Sequence, residues 1–129
     1  MKSARKELHW LEDILTAIDE IESHPQFSGG RKAFQSDKYF RGWCYLQIAR
    51  VSEACVHLAD DFNYKDKHHD VLPWKDIRGE RIILVHKYWS IDDDIIWDTV
   101  EKDLPVLKQR VSEWIEKWQS ESGESSGSP

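Results

Sequence analysis

The sequence predicts an all-α protein, an antiparallel bundle of four to five helices, from three observations. Apolar residues recur at helical spacing along most of the chain. Glycine and proline are scarce away from the two ends, and no segment alternates with the period of a strand. At 129 residues the chain fits one domain with one core. Residues 1–120 are predicted to form it, and residues 121–129, rich in Ser and Gly, a disordered tail.

The first predicted helix covers residues 3–23, where apolar side chains recur three and four residues apart. His24-Pro25 and the Ser28-Gly29-Gly30 run are expected to end it and to form a loop. Residues 31–35 are predicted to add a short helical turn. The apolar stripe consists of Leu8, Leu11, Leu15 and Ile18, widened by Ile14 and Ile21.

The second predicted helix has Ser36 or Asp37 as its N-cap and runs to about Asp61. Its apolar positions repeat nearly as a heptad, which suits packing along another helix. Four aromatic residues at its start are interpreted as core or subunit contacts, with a base-stacking platform as the alternative. The stripe is Cys44, Ile48, Val51, Cys55, Leu58 and Phe62, and the aromatic residues are Tyr39, Phe40, Trp43 and Tyr45.

Residues 63–70 are predicted to form a charged, solvated loop, because no cysteine or third histidine lies at metal-ligand spacing from His68 and His69. Pro73 suits the first turn of a third helix, residues 73–89. A fourth helix is predicted after Ser90, with a start that resembles a capping box. Pro105 is expected to kink or restart this helix, which continues to about residue 119. Its apolar face is Ile96, Trp97, Val100, Leu104, Leu107, Val111, Trp114, Ile115 and Trp118.

The total charge and its distribution along the chain bear on which ligands the protein can bind. The net charge of −6 argues against non-specific coating of nucleic acid. Residues 65–89 hold 6 basic and 4 acidic side chains and are the net-positive segment, against 8 and 10 in residues 1–64 and 4 and 10 in residues 90–129. A small local site for an anion is therefore expected within 65–89.

The compartment is expected to be the cytoplasm. Cys44 and Cys55 would lie about 16 Å apart along one helix, which is too far for a disulfide, so two buried, reduced thiols are expected. The longest uncharged apolar run, Ile82–Val85, is far too short to span a membrane. The N-terminus lacks the apolar region of a secretory signal.

The third predicted helix carries more strong hydrogen-bond donors than a scaffold helix normally does. Arginine and histidine are rarely buried without a partner, yet here they stand among apolar neighbours. One stripe of this helix contains Trp74, Ile77, Arg81, Leu84 and Tyr88, and a second contains Gly79, Ile82, Ile83 and His86; Arg78 is a further donor.

A helix with two apolar stripes has two surfaces to pack against, and the second is expected to be the same helix of another subunit. Arg81 and His86 lie about 140° apart around one helix, so they are expected to share a site between two copies in a homodimer. Metal-free cleavage of RNA needs a base or acid near neutral pH, which histidine supplies, and a phosphate ligand, which arginine supplies. A structural role for both residues is the alternative that spacing leaves open.

The run from Pro73 to Trp89 and the residues after it resemble the HepT-like branch of the HEPN domains. That family carries Pro-Trp, Ile-Arg-Gly, then Arg-x4-His-x-Tyr with Leu-Val before the histidine, and afterwards Ile-Asp, Trp-Asp and Leu-Pro. The matching residues here are Pro73-Trp74, Ile77-Arg78-Gly79, Arg81, Leu84-Val85-His86, Tyr88, Ile91-Asp92, Trp97-Asp98 and Leu104-Pro105.

The resemblance implies a HEPN-like homodimer that acts as a metal-independent ribonuclease toxin, with the active cleft at the dimer interface. It implies Arg81 and His86 as catalytic residues, Arg78 and Tyr88 as RNA- and phosphate-binding residues, and no metal or other cofactor. It also implies a partner, a minimal nucleotidyltransferase that serves as antitoxin and attaches AMP to Tyr88. A bulky anion there would block the phosphate site and repel RNA.

One departure from the family pattern leaves a second function open. The family usually has a polar residue, often Asn, directly after the motif arginine, whereas this chain has Ile82. If that polar group helps to hold the phosphate, catalysis would be reduced or lost. The alternative is therefore a catalytically inactive binding module that engages a nucleotidyltransferase partner or a nucleotide. A helical dimer without any ligand is a third option.

Overall fold

The computed structural model describes residues 4–69 and 88–121, with the backbone alone described at residues 4, 5 and 88. All regular structure within these two ranges is helical, so the predicted all-α fold is confirmed. The α-helices in these ranges are α1 (Ala4–Glu22), α2 (Gly30–Ser36), α3 (Lys38–Asp61), α4 (Tyr64–Lys67), α5 (Asp93–Asp98) and α6 (Leu104–Glu121).

The long helices form an antiparallel arrangement in which α1 packs against both α3 and α6. The indole Nε1 of Trp43, near the start of α3, donates to the carbonyl of Glu20, near the end of α1, at 2.9 Å. Lys108 in the first turns of α6 binds Glu22 at the same end of α1, at 2.8 Å. Helices α3 and α6 therefore both run opposite to α1.

The apolar stripe predicted for the second helix forms the buried face of α3. Five of its six members are at most 4% exposed, and the sixth is partly buried. The two cysteines in this stripe are buried thiols that are not joined in a disulfide. Burial raises the pKa of Cys44 to about 12, so this thiol stays protonated and unreactive near neutral pH. The stripe is Cys44, Ile48, Val51, Cys55 and Leu58, with Phe62 the partly buried member.

Helix α3 begins at a well-formed cap. The Asp37 side chain accepts hydrogen bonds from the backbone N–H of Tyr39 at 2.9 Å and of Phe40 at 3.1 Å, which satisfies two amides at the start of the helix. The short turn predicted at residues 31–35 is also present, as α2. Of the four aromatic residues at the start of α3, Tyr39 is 78% exposed and lies outside the core.

The prediction of a solvated loop at residues 63–70 is wrong for its first half. Tyr64–Lys67 forms one helical turn, α4, and Tyr64 is only 4% exposed. The Tyr64 ring meets Trp114 of α6 edge-on, with ring centroids 5.2 Å apart, so a contact distant in sequence buries this one side chain, whereas residues 63 and 65–67 are exposed as predicted. The part of the chain that the structure describes contains no group of three side chains able to hold a metal ion.

The chain after residue 90 forms two helices joined by a widened turn. Asp92 is the N-cap of α5 and accepts from the backbone N–H of Asp94 at 3.0 Å and of Ile95 at 3.4 Å, so the cap is Asp92 rather than Ser90. A π-helical turn, Thr99–Asp103, then connects α5 to α6. This irregular turn ends just before Pro105, which cannot donate a helical hydrogen bond.

Helix α6 reaches Glu121, one residue past the predicted end of the domain, and the predicted tail from residue 122 lies outside the described residues. Among the helices at residues 4–69 and 88–121, none combines the length and the apolar character that crossing a bilayer requires.

Candidate active site

The residues predicted to act on RNA lie almost entirely outside the part of the chain that the structure describes. Arg78, Arg81 and His86 all fall within residues 70–87. Of Tyr88 only the backbone is described, as the first residue of a short 3-10 turn, Tyr88–Ser90. The arrangement of these four side chains therefore stays a prediction. The structure does show how the chain is held on either side of the segment, at residues 64–69 (the N-terminal flank) and 88–93 (the C-terminal flank).

The two flanks lie near opposite ends of α3. On the N-terminal side, α4 follows directly after α3 and packs against it. On the C-terminal side, Asp93 at the start of α5 contacts Arg41 and Tyr45, which lie in the first third of α3. Helix α3 rises about 30 Å between Arg41 and Asp61. Residues 70–87 therefore connect two points separated by most of the length of that helix.

The N-terminal flank is held by a hydrogen bond and by ring packing. The phenol of Tyr64 donates to Glu7 Oε2 in α1 at 2.5 Å. Burial, followed by the hydrogen bond to Glu7, raises the pKa of Tyr64, so the phenol remains a donor at neutral pH. His68 packs its ring on Trp114, with centroids 4.5 Å apart. This flank is thereby joined to both α1 and α6.

The C-terminal flank is held by a second tyrosine–carboxylate pair. The phenol of Tyr45 in α3 donates a hydrogen bond to Asp93 Oδ1. Burial, together with this hydrogen bond, raises the pKa of Tyr45 to about 12, so it too stays a donor at neutral pH. Two residues earlier, Ile91 packs against the core. The turn that contains Tyr88 is therefore followed at once by buried and hydrogen-bonded residues.

Two arginines join α2 and α3 to the start of α5. Arg41 lies 3.9 Å from Asp93 Oδ2 and also donates to the carbonyls of Phe34 and Gln35 at 3.2 and 2.7 Å, at the C-terminal end of α2. These carbonyls have no partner within their own helix. Arg41 therefore binds the end of one helix and the start of another at the same time.

Arg31 of α2 bridges two aspartates one turn apart on α5. It donates to Asp94 at 3.0 Å and to Asp98 at 2.7 Å. The hydrogen bond to Asp98 is the main cause that raises the pKa of Arg31. Because all of these groups are at least a third exposed, the contacts mainly fix the position of α5 and contribute little to stability.

These partners were not foreseen from the sequence. Asp92, Asp93 and Asp94 stand together at the start of the predicted fourth helix, but only Asp92 caps it. Asp93 binds α3 and Asp94 binds α2. The sequence contained one indication that Asp94 and Asp98 could share a partner, because residues four apart lie on the same face of a helix. The identity of the binding arginine, 63 residues earlier in the chain, follows only from the packing of α2.

Comparison with protein families gives a match over most of the chain. A family model described as ribonuclease HepT-like matches residues 14–114. That range includes the predicted catalytic segment, both of its flanks, all of α2, α3 and α5, and parts of α1 and α6. No solved structure matches the chain.

Several known proteins are similar to this chain. A Thermococcus cleftensis protein named "Probable ribonuclease HepT" is 31% identical over 108 residues, which is 84% of this chain and 93% of that protein. A Methanocaldococcus jannaschii protein named as a gamma-glutamylcyclotransferase and candidate RNase is also 31% identical over 108 residues, but these make up only 47% of its length. A candidate RNase of Caldanaerobacter subterraneus is 37% identical over 67 residues, 52% of this chain and 57% of that protein. The chain thus spans about half the length of the last two relatives.

Proposed function

Because the chain belongs to the ribonuclease HepT-like family, we propose that it is a metal-independent endoribonuclease in which Arg81 and His86 are the catalytic residues. The observation that carries the proposal is the family match over residues 14–114, within which the motif Arg-x4-His-x-Tyr occurs at Arg81, His86 and Tyr88. Relatives that are named as ribonucleases support cleavage of RNA as the activity.

The proposed chemistry assigns one task to each side chain. His86 accepts the proton of the ribose 2′-hydroxyl, because imidazole titrates near neutral pH and so serves as base and then as acid. Arg81 binds the phosphate and stabilises the charge that builds on it in the transition state, because a guanidinium remains charged and offers paired donors. Arg78 and Tyr88 are assigned to binding RNA beside the reacting phosphate.

Described residues hold the chain on both sides of the proposed catalytic segment. The N-terminal flank is joined to α1 through Tyr64, and the C-terminal flank is joined to α3 through Tyr45. A catalytic segment held at both ends meets the need of such a site for fixed side-chain positions.

We further propose that the active form is a homodimer. Arg81 and His86 are five residues apart and so point about 140° apart on one helix. Two copies of the helix, related by a two-fold axis, would place the arginine of each subunit near the histidine of the other. The cleft would then contain two active sites, each with the arginine of one subunit and the histidine of the other.

The biological role that we propose is that of a toxin whose partner is a minimal nucleotidyltransferase antitoxin. That enzyme would attach AMP to Tyr88, two residues from His86, and the added phosphate would repel RNA. When the chain is co-expressed with such an enzyme from the same genome, mass spectrometry is expected to find AMP on the peptide that contains Tyr88. The matched variant Tyr88→Phe is expected to carry none. AMP on a different residue, or equal amounts of AMP on the unchanged chain and on the Tyr88→Phe variant, would contradict this assignment.

The alternative is a binding module without catalysis, and Ile82 favours it because the family usually has a polar residue at that position. A single assay separates the two functions. The purified chain, incubated with single-stranded RNA in excess EDTA, is expected to cleave it, since no step of the proposed reaction requires a metal. Folded protein that leaves every RNA intact would favour the binding module, and cleavage that EDTA abolishes would contradict the metal-independent reaction.

A further inference from the structure

The start of α3 presents an aromatic ring to solvent beside a positive charge. Tyr39 is 78% exposed, whereas the other three aromatic residues at the start of this helix are buried or half-buried. The neighbouring Lys38 is also exposed, and its Nζ lies 5.3 Å from the centroid of the Tyr39 ring, within the range of a cation–π contact. An apolar ring face and a cation are therefore displayed together.

This ring and cation lie in a strongly basic stretch of an acidic chain. Residues 25–52 hold five basic side chains and one acidic one, a net charge of +4, whereas the whole chain carries −6. The three arginines of the stretch bind carboxylates of other helices, so the charge displayed to solvent comes from the exposed Lys32 and Lys38. Their Cα atoms are at most about 14 Å apart, because one helical turn and two peptide units separate them. We call Lys32, Lys38 and Tyr39 the Tyr39 surface.

The one acidic side chain of this stretch is already bound. The Asp37 carboxylate accepts hydrogen bonds from the backbone N–H of Tyr39 and Phe40, so the amides at the start of α3 offset its charge. The same cap fixes the backbone that carries the Tyr39 ring. A flat ligand that stacks on this ring therefore loses less conformational entropy than one that binds a loose segment.

The apolar part of this side of α3 is too small for a stable protein partner. Leu46 lies seven residues after Tyr39, and so on the same side of the helix, and it is 53% exposed. Between them stands Gly42, where an added Cβ would meet no atom within 4 Å. Two exposed apolar side chains separated by a glycine fall far short of the roughly 800 Å² that each partner contributes to a stable interface. An aromatic ring beside cations is instead the combination that holds unpaired bases and their phosphates.

From these observations we infer that the Tyr39 surface is a further binding site for single-stranded RNA, in which an unpaired base stacks on Tyr39 and the two lysines bind adjoining phosphates. The inference rests on the proposed function for the identity of the nucleic acid. Tyr39 lies about 160° around α3 from Arg41, which contacts Asp93 in the C-terminal flank, so the site is separate from that flank. Because every base has a π-face, stacking favours unpaired RNA without selecting a sequence.

Binding of a single-stranded 2′-O-methyl oligonucleotide of about 12 nucleotides tests the inference. Such RNA lacks the hydroxyl that would attack, so affinity is measured on the intact chain without cleavage. By fluorescence anisotropy, Tyr39→Ala is expected to raise Kd about 5- to 150-fold, the usual range for the loss of one stacked base. Tyr39→Phe retains the ring and is expected to recover most of the affinity. The matched control Leu46→Ala shortens the other exposed apolar side chain on this side of α3 and is expected to change Kd less than about 2-fold.

Salt dependence and cross-linking test the lysines and the location of the site. Lys38→Gln is expected to lower the slope of log Kd against log salt concentration by about 0.7, the value for one phosphate contact of a single strand. The matched control Lys117→Gln removes an exposed lysine of α6 and is expected to leave the slope unchanged. An oligonucleotide that carries 5-iodouridine is expected to cross-link under ultraviolet light to the peptide that contains Tyr39, as identified by mass spectrometry.

Two results would overturn the inference. One is a Tyr39→Ala protein that binds the oligonucleotide as tightly as the unchanged chain, or an unchanged chain that does not bind it or cross-links only elsewhere. The other is a change in sedimentation of the free protein in both Tyr39→Ala and Leu46→Ala, which would make this side of α3 a contact between copies. Failure of the proposed function looks different, because an oligonucleotide bound at Tyr39 with no cleavage of ordinary RNA would refute catalysis and leave the binding site intact.

Discussion

Replacing His86 with alanine is expected to lower the rate of RNA cleavage at least 100-fold while the protein stays folded. General acid–base catalysis by a positioned side chain contributes about 10²- to 10⁴-fold to a rate, and alanine cannot accept the proton of the 2′-hydroxyl. The measurement is the single-turnover rate of cleavage of a labelled RNA in EDTA, with the circular dichroism spectrum and the unfolding midpoint recorded for each protein. Growth arrest on expression is expected to disappear in parallel.

The matched control for His86 is His69→Ala. His69 is an exposed histidine at the other flank of the same segment, and its Nδ1 lies 3.4 Å from the carbonyl of Asp66. Its replacement is expected to leave the cleavage rate within about 3-fold of the unchanged chain, since no role in the reaction is assigned to it. Equal rates for His86→Ala and the unchanged chain would show that His86 is not the base.

The largest expected effect on stability is that of Phe34→Ala. Phe34 is fully buried, and its ring lies 6.3 Å from that of Phe40, 6.2 Å from that of Tyr45 and 5.3 Å from that of Trp97, measured between centroids. It therefore joins α2 to both α3 and α5. Truncation of a buried phenylalanine typically costs about 3–5 kcal/mol, which corresponds to a fall in Tm on the order of 10–20 °C.

Urea unfolding measures this effect, with Tyr39→Ala as the matched control. Tyr39 is 78% exposed, so its replacement is expected to change the free energy of unfolding by no more than about 0.5 kcal/mol. If Phe34→Ala lowered the free energy of unfolding by less than about 1 kcal/mol, α2 would contribute little to the stability of the core. The start of α5, and with it the turn at Tyr88, would then be held mainly by polar contacts at the surface.

Much of the helical core was predictable because it depends on local periodicity. The stripe from Cys44 to Leu58 is buried as its spacing indicates, and Asp37 caps α3 as its residue type indicates. Both follow from rules that act within about two helical turns. The position of Pro105 also predicted an irregular helix, which appears as a widened turn that ends two residues before it.

The errors and omissions involve partners far apart in the sequence. Tyr64 was assigned to a solvated loop because its neighbours are charged, yet its phenol reaches Glu7, 57 residues away. The pairing of Asp93 with Tyr45 spans 48 residues. Such contacts depend on how helices stack, which periodicity alone does not specify.

The chemical ends of the RNA products test the central proposal most directly. If His86 removes the proton of the 2′-hydroxyl, that oxygen bonds to phosphorus and the bond to the 5′-oxygen breaks, which then takes up a proton. The products are expected to carry a 2′,3′-cyclic phosphate on one fragment and a 5′-hydroxyl on the other, in EDTA as well as without it. Mass spectrometry of the fragments distinguishes these ends. A 3′-hydroxyl paired with a 5′-phosphate would show that water attacks instead, and would contradict the proposed reaction.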